Sequence, residues 1–200
     1  MRVSEERYAR DRRALDVAKR MIEFEARTKC IRRLTGLADG RIRSLAKSCT
    51  AGGGTLAPLR HRGKSPQNVR PIVGRPRLKE EASALLGLCR MMGIGPLPRS
   101  TRPAPANLTR AERLCDAYWT YRQLVPTTNL SFEQMLLLVE ALAEDGDLRL
   151  RTCRGCQAIV VGDAGLWQPL ACPQCEAEDA SVWEESAMPR YRVAEGRPEY

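Results

Sequence analysis

The chain reads as mainly α: a helical domain with a helix-turn-helix-like segment, then a small C-terminal four-cysteine module. Three observations predict this. Apolar residues recur at three- and four-residue intervals through much of residues 5–143, which is the period of an amphipathic helix. Only one short run, Ile159-Val160-Val161, reads as a strand. Finally, Cys153-Arg154-Gly155-Cys156 is followed after fifteen residues by Cys172-Pro173-Gln174-Cys175, two C-x-x-C pairs at the separation of a closed tetrahedral metal site.

Residues 5–33 are expected to form one long helix, because Tyr8, Leu15, Ala18, Ile22 and Ala26 alternate at helical spacing with charged residues, and Met21 and Phe24 widen the stripe. Residues 26–48 carry a second pattern. Ile31 and Leu34 end a helix, Thr35-Gly36-Leu37 breaks it, and Ile42 and Leu45 begin another. A short glycine-containing turn between two helices is the outline of helix-turn-helix, and its second helix would expose Arg41, Arg43 and Lys47. An ordinary packing hairpin has the same outline.

From Thr50 to Arg77 periodicity is lost. Gly52-Gly53-Gly54 and four prolines are interspersed with Arg60, Arg62, Lys64, Arg70, Arg75 and Arg77, which predicts a basic loop over 50–77. The glycines are no phosphate loop, since they lack the Lys-Ser/Thr ending. His61, the only histidine, has no partner placed by any motif and reads as a polar loop residue.

Three helices are then expected at Leu78–Met92, Leu108–Leu124 and Phe132–Ala143, with a proline-rich linker over 95–106. Asn107 or Thr109 opens the second. Ser131 with Gln134 forms a capping box for the third, which is apolar nearly all round and so belongs in a core or a subunit interface. The domain division is 1–150 for DNA binding and oligomerisation, 151–178 for the cysteine module, and 179–200 for an acidic tail.

Charge is distributed unevenly in the 200 residues, whose net charge is +9. Residues 40–79 hold 10 Lys and Arg and no acid, whereas residues 151–200 hold 5 bases against 8 acids. An acid-free window of that length attracts polyanions, nucleic acid first among them. A solvated basic loop without a partner is the plainer reading. The N-terminus is charged and lacks an apolar run, so neither a signal peptide nor a membrane span is expected, and a cytoplasmic location follows.

The eight cysteines separate into the four of the C-x-x-C pairs and the scattered Cys30, Cys49, Cys89 and Cys115, which read as small core residues. Cys153, Cys156, Cys172 and Cys175 are expected to hold one structural zinc. Four thiolates leave no open coordination position, and metal binding supplies the folding free energy that a segment of about 25 residues lacks. Paired disulfides or a redox dithiol are the alternatives.

The order of parts resembles the FlhC family, the zinc-binding subunit of the bacterial flagellar master transcriptional activator. The resemblance is carried by Ala26-Arg27, the Thr35-to-Leu45 segment, Ala117-Tyr118-x-x-Tyr121, and Glu144-Asp145-Gly146-Asp147-Leu148 just before the two C-x-x-C pairs. It spans roughly residues 5–178. It implies a hetero-oligomer with a small helical FlhD-like partner, promoter DNA as ligand, RNA polymerase as recruited partner, and flagellar or conjugative-transfer genes as targets. Acidic Glu176-Ala-Glu-Asp replaces a stretch that is usually basic in that family, so DNA contacts are expected over residues 41–77. There, loop cations would neutralise phosphates and the second helix would read bases. The competing expectation is a zinc-stapled adaptor that binds protein alone. No nucleophile motif or open metal site points to an enzyme.

Overall fold

The structure, a computed structural model, describes residues 5–51, 65–96, 107–143 and 146–165 together with residues 172, 174 and 175. Among these residues are seven helices and one two-stranded antiparallel sheet, a mainly α architecture. The first helix, α1 (Glu5–Glu23), buries Ala14, Val17, Ala18, Met21 and Ile22 along one stripe. Glu5 and Glu6 in its first turn and Arg20 in its last suit the helix dipole.

The single helix expected over 5–33 is in fact two, with α2 spanning Thr28–Thr35. Glu25 adopts a left-handed backbone, φ 60, and the amides of Glu25 and Ala26 return to the carbonyls of Ile22 and Met21 at 2.9 Å each. This conformation costs a non-glycine residue about 1–2 kcal/mol. Tertiary contacts offset it. Phe24 packs on Tyr118 and Phe132, with ring centroids 5.0 and 5.6 Å away. The Arg27 amide and guanidinium both reach the buried Glu133. No glycine or proline marks the break in the sequence.

The turn after α2 is as expected. Gly36, φ 74, closes α2 by donating to the Arg32 carbonyl, a left-handed cap that favours glycine. Thr35 Oγ1 donates to Ile31 O and accepts from Leu37 N. Then α3 (Asp39–Ala51) packs against α1 and α2 through Ile42, Leu45 and Ala46.

The basic loop is shorter than expected at its far end. Residues 65–77 include a one-turn helix, α4 (Arg70–Val73), and the start of α5 (Pro76–Met91). Val69 and Ile72 are buried in the main core. Two apolar residues in a proline-rich stretch give no period, so the sequence hid this anchor. Proline at the first position of α5 lacks only an amide that would have no intrahelical partner.

Helix α6 (Leu108–Leu124) is capped by Asn107, which accepts from Arg110 N, and α7 (Phe132–Ala141) by the full Ser131–Gln134 box. Leu85, Leu86, Leu114, Met135 and Leu138 are completely buried, so truncating any of them costs about 2–5 kcal/mol. The apolar faces of α1 and α7 are covered within the chain, and give no reason of their own to invoke a partner.

Strands β1 (Leu148–Thr152) and β2 (Ile159–Asp163) form a hairpin with Leu148 opposite Asp163 and Thr152 opposite Ile159. The sequence marked only β2. This hairpin is packed onto α5. Alternation along β2 divides its side chains: Val161 enters the main helical core, while Val160 joins Cys153 and Cys172 in a second apolar cluster.

Candidate functional site

Two candidate sites emerge, a four-cysteine centre and a cationic helix face. The centre is built on the hairpin. Cys153 follows β1, its amide donates to Ala158 O at 2.8 Å, and Gln157 N returns to Cys153 O at 3.1 Å. This tight turn places Cys156 beside Cys153, helped by the left-handed backbone of Gln157, φ 63. From the other pair, the amide of Cys172 donates to Cys153 Sγ at 3.3 Å and that of Cys175 to Cys172 Sγ at 3.4 Å. Gly155 is needed for close approach, because a Cβ there would lie 2.9 Å from Cys175 Sγ.

The four sulfurs lie within 4.8 Å of one another, and Cys156 Sγ is 3.6 Å from Cys172 Sγ. A tetrahedron with metal–sulfur bonds of 2.3 Å has edges of about 3.8 Å, so the spacing fits a metal ion. All eight cysteines are free thiols, and four of their sulfurs share one centre. Backbone donors, Cys156 N first and then Cys172 N, hold the Cys153 thiol down to about 6, whereas hydrogen bonding with Cys172 pushes Cys175 up, so without a metal the cluster favours its first thiolate at Cys153. Cys153 and Cys172 are buried and Cys156 is exposed.

The centre is joined to the helical body by a contact that the sequence reading did not find. Ser83 Oγ, buried on α5, accepts from Val161 N at 3.0 Å and donates to Lys79 O at 2.7 Å. One turn on, Gly87 faces Ile159, whose Cδ1 would stand in ordinary contact, 3.6 Å, with an added Cβ. Small residues four apart in a Leu-rich helix were the available signal.

The expected DNA-contacting residues fall into groups. Arg41, Arg43 and Lys47 are exposed on α3. Arg41 pairs with Asp11 of α1 at 2.9 Å, and Arg43 lies 4.0 Å from Asp39, which also meets Arg32 at 3.4 Å. Arg70 is exposed in α4, while Arg75 and Arg77 flank the start of α5, with Arg77 3.6 Å from Glu81. The first turn of α5 contains no acid. Arg60, Arg62 and Lys64, like His61, the triple glycine and the tail from residue 176, lie outside the described residues.

Much of the remaining N-terminal positive charge is matched internally. Arg13 pairs with Glu112, Arg20 with Asp116 at 2.6 Å, Arg27 with Glu133, and Arg33 with Glu140. These pairs fasten α1 and α2 to α6 and α7. Among the described residues no helix is long and apolar enough to cross a membrane.

No protein-family model matches the chain, and no curated protein matches it.

Proposed function

We propose that the chain is the DNA-binding subunit of a transcriptional activator, in which α3 enters the major groove and a structural zinc holds the C-terminal hairpin closed. The observation that carries this reading is α3 itself. It follows a glycine-capped turn, is braced by α1 and α2, and turns Arg41, Arg43 and Lys47 to solvent. A helix of about 10–12 Å diameter fits a major groove about 12 Å wide.

Zinc is the ion that four thiolates at tetrahedral spacing suit, and with every position filled by protein it acts as a staple with no catalytic part. The FlhC-like order of parts adds an FlhD-like partner, RNA polymerase and a flagellar or conjugative-transfer regulon to the proposal. Fluorescence anisotropy of a labelled duplex with the full chain, at two salt concentrations, tests it. Two phosphate contacts by the arginines of α3 alone set a log–log salt slope of about −2. Binding that ignores salt would refute it. Metal analysis should find one zinc per chain.

An adaptor reading draws on Trp119 and Leu124, which are 55% and 71% exposed on α6 and would suit a protein partner. Capture of such a partner by a chain that binds no duplex would favour that alternative.

A further inference from the structure

Accepting that reading, the orientation of α3 divides its exposed residues into two roles that the sequence could not separate. The inward direction is fixed by Ile42, buried in the core, with Leu45, Ala46 and Cys49 partly buried beside it. At about 100° per residue, the direction opposite that face is shared by Gly40, Ser44 and Lys47, all exposed. Arg41 and Arg43 stand about 200° apart around the axis, one on each flank of this ridge.

Their ion pairs agree with the flanking positions. Arg41 is drawn to Asp11 on the α1 side, and Arg43 lies by Asp39 on the other. At Gly40 an added Cβ would meet nothing within 4 Å, so nothing in the fold itself demands glycine there. The absence of a side chain lowers the N-terminal end of the ridge, where the first turn of α3 would meet a groove floor.

The geometry points to Ser44 and Lys47 as the residues that determine sequence specificity, with Gly40 permitting close approach and Arg41 and Arg43 contacting the phosphate walls on either side. A serine hydroxyl donates or accepts at a base edge, and a lysine ammonium donates to guanine O6 and N7. A cation on each flank of a helix lying in the groove faces a different strand, where it neutralises phosphate without reading sequence. This reverses the roles expected from sequence, in which Arg41 and Arg43 were base readers.

The test uses the full chain and a duplex enriched from a random library by that chain, compared with a scrambled duplex of the same composition. Ser44→Ala should reduce discrimination between the two by about fivefold to tenfold while leaving scrambled-duplex affinity unchanged. Lys47→Arg, which keeps the charge, should alter the preferred base at one position and preserve the salt slope. Arg41→Ala and Arg43→Ala should weaken binding to both duplexes equally and reduce the salt slope by roughly one. Gly40→Leu should weaken binding to both while melting no lower than the parent. All these positions are exposed, and a circular dichroism melt confirms that each variant folds.

If Arg41→Ala or Arg43→Ala abolishes discrimination while Ser44→Ala and Lys47→Arg retain it, the assignment is overturned and DNA binding stands. A parent that binds duplexes with no sequence preference overturns it as well. A parent that binds no duplex defeats the underlying DNA-binding reading itself, a result distinct from both.

Discussion

Replacing Ser83 by alanine should separate the cysteine hairpin from the helical body without touching a cysteine. In a two-stranded sheet β1 pairs only one edge of β2, so an amide on the other edge needs a partner elsewhere. Val161 N finds it in Ser83 Oγ at 3.0 Å, and both residues are buried, Val161 completely. Removing the hydroxyl strands that amide, at a cost of about 1–3 kcal/mol. Alanine recovers a few tenths of a kcal/mol in helix propensity. The net loss is about 1–2 kcal/mol, which for a chain of this size lowers Tm by about 2–8 °C. Thermal melts of zinc-loaded parent and Ser83→Ala, followed by circular dichroism, measure this. Hydrogen exchange should show faster loss of protection at the Val161 amide. In protein stripped of metal by a chelator the difference should shrink, since an unstapled hairpin no longer presents Val161 to α5. Equal melting temperatures in the zinc-loaded pair, with equal exchange at Val161, would refute the docking argument.

Three further outcomes are expected. Glu81→Ala removes the carboxylate that accepts from Thr128 Oγ1 at 2.8 Å and Asn129 N at 3.0 Å, so it should cost about 2–4 kcal/mol, read as a lower urea midpoint at unchanged slope. Gly155→Ala places a Cβ 2.9 Å from Cys175 Sγ and should weaken zinc binding about tenfold in a competition titration with a chromogenic chelator. The third concerns pH. The hydrogen bond from Arg13 holds the Glu112 carboxyl below its ordinary range, so its contribution is complete above the unfolded value of about 4.3 and is lost as pH falls through the lowered folded value. Glu112→Gln should therefore be less stable than the parent at pH 7, and the two stability curves should converge on acidification below about pH 4. Curves that stay parallel to pH 3 would contradict the pairing.

What the sequence determined by itself was whatever depends on neighbours along the chain. The Ser131–Gln134 box and the Gly36 turn are settled by backbone geometry within four residues and each formed where its residues stand, while of the two caps open to α6, Asn107 and Thr109, the helix uses Asn107. The two C-x-x-C pairs also belong here, because two thiolates three residues apart on a turn share one side. The structure then brought all four sulfurs within 4.8 Å.

What only the tertiary structure decided was which distant surfaces meet. Glu25 takes a left-handed conformation that its own sequence disfavours, because Phe24 and Arg27 gain partners on α6 and α7 about a hundred positions away. Val69 and Ile72, two apolar residues without period, became an anchor only when a core stood beside them. Ser83 reads as one more small helix residue until β2 offers it an unpaired amide. On α3, periodicity showed that Arg41, Arg43 and Lys47 would be exposed, yet which of them lies on the crest depended on where Ile42 and its neighbours found the core. A period gives the angle between residues on a helix, whereas the direction of the whole set comes from the packing partner.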